Sequence, residues 1–136
     1  MSIETNKNIV CRFIQTTLND GNVEETSDYV HDDVVELDPF PGQGPGVEGL
    51  KGVLRMLLAA FPDMHWVVEE QIGEADKVLT RFLWTGTHRG EFLGMAATNR
   101  PVAVRGMVID RLEENKIKDT RILMDMFGLM TQMGTV

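Results

Sequence analysis

Cysteine, basic residues and long apolar runs are all scarce in this sequence of 136 residues. Cys11 is the single cysteine, which excludes an internal disulfide and fits the reducing cytoplasm. Lysine and arginine total 13 against 21 acidic residues and form no cluster, so the net charge of −8 argues against a nucleic-acid partner. The longest apolar run, residues 56–61, is too short to span a membrane, and MSIETNKNIV lacks the apolar core of a signal peptide.

Residue patterns for metal, nucleophilic and phosphate chemistry are also missing. The three histidines stand alone, without an HExxH or a His-x-His pair, so no metal site is expected. Nothing beside Cys11 marks this thiol as an activated nucleophile. The glycines of PFPGQGPG, residues 39–46, are not followed by Lys-Ser or Lys-Thr, so this loop does not predict a phosphate site.

Apolar residues at helical spacing predict three helices in the first half of the chain. The first has its apolar stripe between Ile9 and Leu18 and ends at Asp20-Gly21, where the glycine takes the left-handed conformation. Asn22 is the expected cap of a second, short helix that runs to about residue 30. The third helix, between Leu50 and Phe61, ends before a proline.

After residue 63 the apolar period changes to that of strands. Strands are predicted over residues 66–72, 78–87, 102–112 and 117–125, with an earlier one over 34–38. GEAD and EENK, between consecutive predicted strands, are typical of hairpin turns. Helices followed by antiparallel strands predict the α+β class and one domain over residues 1–136, with the helices packed on one face of a curved sheet.

The predicted strand at residues 34–38 carries two carboxylates, within HDDVVELDPF. Because strand side chains alternate between faces, Glu36 and Asp38 are expected on the same face as Val34. That face either meets water or points into the protein. Asp38 precedes Pro39, so a structural interpretation as a turn residue stands beside a functional one.

Three stretches of the chain carry a resemblance to a known family. They are FPDMHWVVEEQIGEADKV (61–78), WTGTHRGEFLGMAATNRPV (84–102) and IDRLEENKIKDTRILMDMFGLMTQMG (109–134). Their order and spacing resemble the SnoaL-like polyketide cyclase, or ester cyclase-like, family of the nuclear-transport-factor-2-like superfamily. The most specific part is the G-T-H-x-G-x-F-x-G run between Gly86 and Gly94.

This resemblance implies a cone-shaped α+β barrel, in which three N-terminal helices close one side of a strongly curved, mostly antiparallel sheet. It also implies a mostly apolar pocket for a small hydrophobic molecule, no cofactor, and a homodimer or homotetramer formed through the outer sheet face. Because one fold hosts several functions, the implied activities extend from cyclase, isomerase and lyase chemistry to plain binding.

Polyketide cyclases of the family place an acidic general acid/base on the last strand and a histidine on the preceding strand. Counted back from Gly134, those positions hold Ile122 and Val108, which transfer no proton. The resemblance also aligns DDVVELDP (32–39) with the ketosteroid isomerase segment that carries the catalytic base, and Asp38 falls on that base.

We therefore predict a cofactor-independent enzyme that moves a proton on a small hydrophobic carbonyl compound, as an isomerase, cyclase or related lyase. Asp38 is the predicted base, Glu36 its assistant, and His88 or Trp84 the hydrogen-bond donor to the enolate oxygen. The predicted ligand-binding residues, chosen by strand parity or position, are Trp66, Trp84, Phe92, Met95, Val108, Asp110 and Ile122.

Two other functions fit the same residues. One is a carrier that binds a hydrophobic metabolite without catalysis, an interpretation favoured by Ile122 and Val108. The other is a homodimeric domain whose cone is filled by its own side chains. A cavity of roughly a few hundred Å³ with a polar group at its base favours a ligand. A cone filled by Met and Trp side chains leaves only the last interpretation.

Overall fold

The architecture comes from a computed structural model, which describes residues 2–134. Within these residues the α-helices are α1 (Ile3–Phe13), α2 (Gly46–Ala60) and α3 (Met126–Met133). A π-helical segment (Ile14–Asn19) continues α1, and a 3₁₀ helix spans Val23–Asp28. The strands are β1 (Val30–Glu36), β2 (His65–Glu74), β3 (Lys77–Thr87), β4 (Pro101–Glu113) and β5 (Lys116–Met124).

The helix ends follow local capping chemistry. The Ser2 hydroxyl accepts a hydrogen bond from the Thr5 N–H at 3.0 Å and so caps α1. Gly21 has φ +71°, which confirms the predicted helix stop. Asn22 occupies the cap position of the 3₁₀ helix but makes no side-chain capping bond there. The helix ends at Asp28, shortly before the chain enters β1.

The sheet has the order β1-β5-β4-β3-β2. β1 pairs with β5 in parallel, and the other neighbouring strands pair antiparallel, as a mostly antiparallel sheet requires. Glu114 and Asn115, between β4 and β5, both have positive φ, which is the geometry of a tight hairpin turn. The predicted α+β class, with helices packed against the sheet, is confirmed.

The first strand differs from its predicted bounds. It covers Val30–Glu36 rather than residues 34–38. The Leu37 N–H still donates to the Thr120 carbonyl at 2.8 Å, but Pro39 has no N–H with which to continue the ladder. Asp38 therefore lies beyond the strand, where the alternation of side chains no longer applies.

The core lies between the inner face of the sheet and the helices. At one end, the Phe61 ring contacts the rings of Trp84, His88 and Phe92 at centroid distances of 5.0, 5.5 and 5.3 Å. We call these four residues the aromatic cluster. All four side chains are fully buried, so the cluster closes this end of the core.

Candidate functional site

A cavity of about 80 Å³ lies between the inner sheet face and the helices. Apolar side chains form most of its wall, and the polar chains that reach it include Glu36, Gln43, Asp110 and Thr120. The volume is well below the few hundred Å³ expected of a ligand pocket, which spans roughly 300–1,000 Å³. The cone is thus largely filled by its own side chains, but carboxyl groups face the space that is left.

Three of these polar side chains form a row across neighbouring strands. Glu36 lies opposite Thr120 in the β1–β5 pairing, and Thr120 lies opposite Asp110 in the β5–β4 pairing. We call these three residues the polar row. Adjacent strands are about 4.8 Å apart, so the Cα atoms of the two acidic residues lie roughly 10 Å apart with Thr120 between them. The adjacent pair on this face is apolar, with Val108 opposite Ile122.

Asp110 is the most perturbed acid of the polar row. Its side chain is buried, with 4% exposure, on a strand whose neighbours are mostly apolar. Burial raises the pKa of Asp110 from 3.8 to about 7, and the negative charge of Glu36 adds to the rise. A hydrogen bond from the Thr120 hydroxyl opposes it. Near neutral pH, Asp110 therefore exists both as a carboxylate and as a protonated donor.

Glu36 is half-buried at the end of β1. Burial raises the pKa of Glu36, and the nearby charge of Asp38 contributes in the same direction. The backbone N–H of Asp38 donates to Glu36 Oε2 at 2.9 Å, which favours the ionised form. Glu36 therefore lines the cavity, where a ligand could meet it, and its raised pKa makes it a better base near neutral pH.

Trp66 lines the same cavity and carries a buried indole N–H that is unpaired in the described part of the chain. Its ring lies 4.5 Å from the Phe82 ring and 5.8 Å from the Trp84 ring, and the side chain is buried. Asn19 fixes its backbone, because Asn19 Oδ1 accepts from the Trp66 N–H and Asn19 Nδ2 donates to the Trp66 carbonyl. The indole N–H has no hydrogen-bond partner within residues 2–134. It can therefore donate to a ligand oxygen without breaking a bond inside the protein.

The predicted position of Asp38 inside the cone is wrong. Its carboxylate pairs with Arg121 at 3.1 Å on the outside of the sheet, and the side chain is 42% exposed. Asp38 does not line the cavity. The physical reason is that β1 ends at Glu36, so the inward face that Val34 and Glu36 share is not continued by Asp38.

His88 is buried, but it does not line the cavity either. The Thr98 N–H lies 3.3 Å from His88 Nδ1, so this nitrogen is the acceptor and the proton resides on Nε2. The Thr98 hydroxyl lies 3.0 Å from the same atom. His88 thus fastens the 88–100 connection to the aromatic cluster, and its predicted role as an enolate donor is not supported by its position.

The predicted ligand-binding residues divide into two groups. Trp66, Val108, Asp110 and Ile122 line the cavity. The family resemblance assigns Val108 and Ile122, and Asp110 follows from its shared parity with Val108. Three others do not line the cavity: Trp84, Phe92 and Met95. The Trp84 indole N–H donates to the Met124 sulfur at 3.3 Å. Phe92 and Met95 lie within the 88–100 connection and exchange two backbone hydrogen bonds there. These three stabilise the closed end of the core.

Several lining residues escaped the sequence argument. Thr120 shares strand parity with Ile122, so the alternation along β5 could have identified it. Phe40 and Gln43 lie in the Pro- and Gly-rich loop, where neither strand nor helix period says which side chains turn inward. Phe82 lies two residues before the predicted Trp84 on β3 and was open to the same parity argument.

Within residues 2–134, no group of three or more His, Cys, Asp and Glu side chains is placed to hold a metal ion. Nor does this part of the chain contain a helix whose length and apolar character would let it cross a membrane.

Helices packed against a five-stranded mixed sheet are consistent with the cone fold of the nuclear-transport-factor-2-like class. Within that class, the model of the SnoaL-like polyketide cyclase family matches residues 8–133. The chain belongs to the SnoaL-like polyketide cyclase family, and the resemblance seen in the sequence is confirmed.

Solved structures show the same fold over the whole chain. TsrD from Streptomyces laurentii superposes with a TM-score of 0.91 at 20% identity, covering 100% of this chain and 99% of that one. A candidate polyketide cyclase from Acidithiobacillus ferrooxidans gives 0.84 at 26% identity, with 98% and 97% covered. IdmH, a candidate polyketide cyclase from Streptomyces antibioticus, gives 0.81 at 27% identity, with 95% and 98% covered. No curated protein matches the chain.

Proposed function

We propose that this protein catalyses proton transfer on a small hydrophobic carbonyl compound, as an isomerase or cyclase that needs no group beyond its own side chains. One observation carries the proposal. The polar row places two acids with raised pKa values, Glu36 and Asp110, at a cavity whose other walls are mostly apolar. Paired acids in differently tuned environments are the usual arrangement for acid–base chemistry.

Glu36 is the proposed base. Its carboxylate takes a proton from the carbon next to the substrate carbonyl, the C–H electrons form a C=C bond, and the carbonyl π electrons move to oxygen to give an enolate. The protonated Glu36 can return that proton to a different carbon, which completes an isomerisation. Alternatively, the enolate carbon attacks a second carbonyl of the same molecule, and the resulting alkoxide takes the proton from Glu36. Neither route consumes a further reactant.

Asp110 and Trp66 are the proposed donors to the enolate oxygen. The negative charge of Glu36 raises the pKa of Asp110, so an ionised base favours a protonated neighbour. A protonated Asp110 can donate a hydrogen bond to the developing oxyanion, and the free Trp66 N–H supplies a second one. Ketosteroid isomerase, a different protein, is a known case of a neutral carboxylic acid in this role.

The proposal also accounts for the departures from the polyketide cyclases. The positions that resemble the cyclase acid and histidine hold Ile122 and Val108, which face each other across β5 and β4. Thr120 and Asp110 are the next facing pair on the same sheet face. We infer that the acid–base groups lie one row away from the family's usual position, which places the reacting carbon nearer to β1.

The test is exchange of α-protons for deuterium, followed by NMR on neutral aromatic ketones in D₂O. We expect Glu36→Gln to slow the exchange by about 100-fold or more, because an amide cannot accept the proton. Asp33→Asn is the matched control, since Asp33 pairs with Lys118 outside the cavity, and its rate should stay within about twofold of the wild type. Equal rates for Glu36→Gln and wild type would refute Glu36 as the base.

A carrier function is the second candidate, because Ile122 and Val108 give the cavity an apolar wall where the cyclases are acidic. A carrier would bind these ketones, as measured by quenching of tryptophan fluorescence, yet exchange no α-proton in any variant. Glu36→Gln would then leave the affinity unchanged or improve it, because it removes a buried charge.

A second copy of the chain is the proposed partner. Exposed apolar residues on the outer sheet face are Val35, Val67, Met107, Ile109 and Leu123. Both charge signs border them, as in the Arg81–Glu69 and Arg111–Asp119 pairs, which suits a two-fold interface.

Light scattering should give a dimer mass for the wild type and a monomer mass for Leu123→Glu, with Phe127→Ser as a control. A wild-type monomer at high concentration contradicts the proposal.

A further inference from the structure

The interior cavity is too small for the ligands that its chemistry suits. At about 80 Å³ it holds less than a benzene ring requires, since an engineered cavity of about 150 Å³ is known to take benzene. A ligand with a carbonyl and an apolar ring must therefore displace part of the wall. The question is which part of the wall can move at the lowest cost.

The sheet and the helices are poor choices for that movement. Wall residues on β3, β4 and β5 are held by ladder hydrogen bonds on both sides and those on the edge strands β1 and β2 on one side, and α2 packs on β1. The loop between β1 and α2 differs, because Pro39, Pro41 and Pro45 have no N–H with which to form hydrogen bonds. Its wall residues are Phe40 and Gln43.

Phe40 and Gln43 are joined by a small latch. The Phe40 N–H donates to Gln43 Oε1 at 3.1 Å, and the Gln43 N–H donates to the Phe40 carbonyl at 3.0 Å. Both side chains are half-buried. The latch turns the Phe40 ring toward the interior cavity with only two hydrogen bonds of ordinary length.

A second, open cavity of about 570 Å³ lies on the other side of this latch. It is formed by the loop and the first turns of α2. The two cavities share Phe40, Gln43 and Val53 as wall residues. Because Val53 belongs to α2, the latch residues are the shared part of the wall that does not belong to a helix or strand.

Both ends of the loop are fixed, which confines the movement to its middle. At the start, the Leu37 N–H bonds to the Thr120 carbonyl. At the end, Gly49 packs so closely on the Gly44 carbonyl that a Cβ would collide with it, and a Cβ on Gly46 would lie 2.7 Å from the Asp32 carbonyl oxygen. Residues 39–43 remain as the part that can swing out.

We propose that Phe40 is the specificity-determining residue that closes the cavity and sets the size of the ligand it admits. When residues 39–43 swing outward, the interior cavity and the open one join into a single pocket that reaches the polar row. The inference rests on the proposed function for the chemistry of the ligand, but the closure itself is a property of the apo protein and is tested without turnover.

The first experiment uses Trp66 as the reporter, because its indole lines the interior cavity. Quenching of tryptophan fluorescence by acrylamide, a small neutral molecule, is compared in wild type, Phe40→Ala and Gln43→Ala. We expect the quenching constant to rise by about twofold or more in Phe40→Ala, because truncation of a large side chain opens space. Gln43→Ala, which removes the side-chain hydrogen bond of the latch but keeps the backbone one and the Phe40 ring, should give a smaller rise.

Two controls assign the effect. Phe127→Ala removes an aromatic ring that is 72% exposed on α3, away from both cavities, and should leave the quenching constant unchanged. In a Trp66→Phe background, Phe40→Ala should cause no rise, since Trp84 is fully buried in the aromatic cluster. A wild-type quenching constant in folded Phe40→Ala, or an equal rise in Phe127→Ala, overturns the proposal.

The second experiment measures size selectivity with acetophenone and 2-acetonaphthalene, which carry one and two aromatic rings. Phe40→Ala should improve binding of the two-ring ketone over the one-ring ketone by about tenfold relative to wild type, which is about 1.4 kcal/mol. A changed size preference without any α-proton exchange would refute the proposed function and keep the closure. Exchange in the wild type with an unchanged size preference would keep the function and overturn the closure.

Discussion

The polar row and the aromatic cluster are both buried against the same sheet, yet they use their polar groups in opposite ways. In the aromatic cluster, the Trp84 indole N–H donates to the Met124 sulfur and His88 Nδ1 bonds to Thr98, while His88 Nε2 has no partner within residues 2–134 and His88 does not line the cavity. In the polar row, Glu36 and Asp110 have raised pKa values and face a cavity. Burial of a titratable group therefore does not by itself indicate a functional site. A buried titratable group that also lines a cavity, as Glu36 and Asp110 do, is the better candidate.

The largest effect that should separate the two regions is on stability. Phe61→Ala removes the ring that joins Trp84, His88 and Phe92, and it should cost about 3–5 kcal/mol in the free energy of unfolding. Urea unfolding at constant pH measures this cost, with exposed Phe127→Ala as the control at about 0.5 kcal/mol or less. A cost below about 1 kcal/mol for Phe61→Ala would mean that the cluster does not carry this end of the core.

Removing the charge of Asp110 should increase the free energy of unfolding rather than decrease it. Because the folded pKa is about 7 and the ordinary value is 3.8, the folded state binds the extra proton between these values, and stability falls as pH rises through that window. Asp110→Asn abolishes this loss. The variant should be more stable than the wild type by on the order of 3 kcal/mol above about pH 7.5, and the gain should vanish near about pH 4.

Denaturation of Asp110→Asn and wild type at several pH values checks this expectation, and Glu36→Gln serves as a partner variant. The charge of Glu36 raises the pKa of Asp110, so Glu36→Gln should lower that pKa, and the fall in stability should then be smaller and end at a lower pH. If Asp110→Asn were instead less stable at high pH, Asp110 would be a structural hydrogen-bond acceptor and the proposed donor role would be withdrawn.

The smallest effect belongs to Asp38, which sharpens the contrast with Glu36. Its ion pair with Arg121 is exposed, so Asp38→Asn should cost at most about 1 kcal/mol and less at high salt. Unfolding at low and at high ionic strength measures this difference. A stabilisation of the Asn variant above neutral pH would instead indicate a buried charge and would restore Asp38 as a candidate base.

The outcomes for these carboxylates show how far sequence reasoning reaches. Alternation put Glu36 on the same face as Val34, and the resemblance to the ketosteroid isomerase segment then pointed that face inward. Alternation failed for Asp38, because it gives no information on where the strand ends. On β4 and β5 the family resemblance identified Val108 and Ile122, and shared parity with Val108 added Asp110, although nothing in the sequence said that Asp110 would be the deeply buried acid.

The free indole donor and the lining residues of the loop were harder to predict from the sequence. Both tryptophans had suitable parity, and which indole stays free depends on whether Met124 reaches it from β5. Phe40 and Gln43 lie between prolines and glycines, where the chain has no period to read. The fold itself was recognisable because motifs spread over most of the chain resemble one family, and that family also matches residues 8–133.

The parallel pairing of β1 with β5 has a consequence for how the site assembles. β2 to β5 are neighbours in the chain and can form hairpin by hairpin, whereas β1 docks on β5 through partners such as Asp33 and Lys118, 85 residues apart. Closing so long a loop is entropically costly, so this contact is expected to form late. β1 is also an edge strand, and its detachment would remove Glu36 from Asp110 while the hairpins stay intact. Hydrogen exchange in β1 should therefore report the assembly of the site.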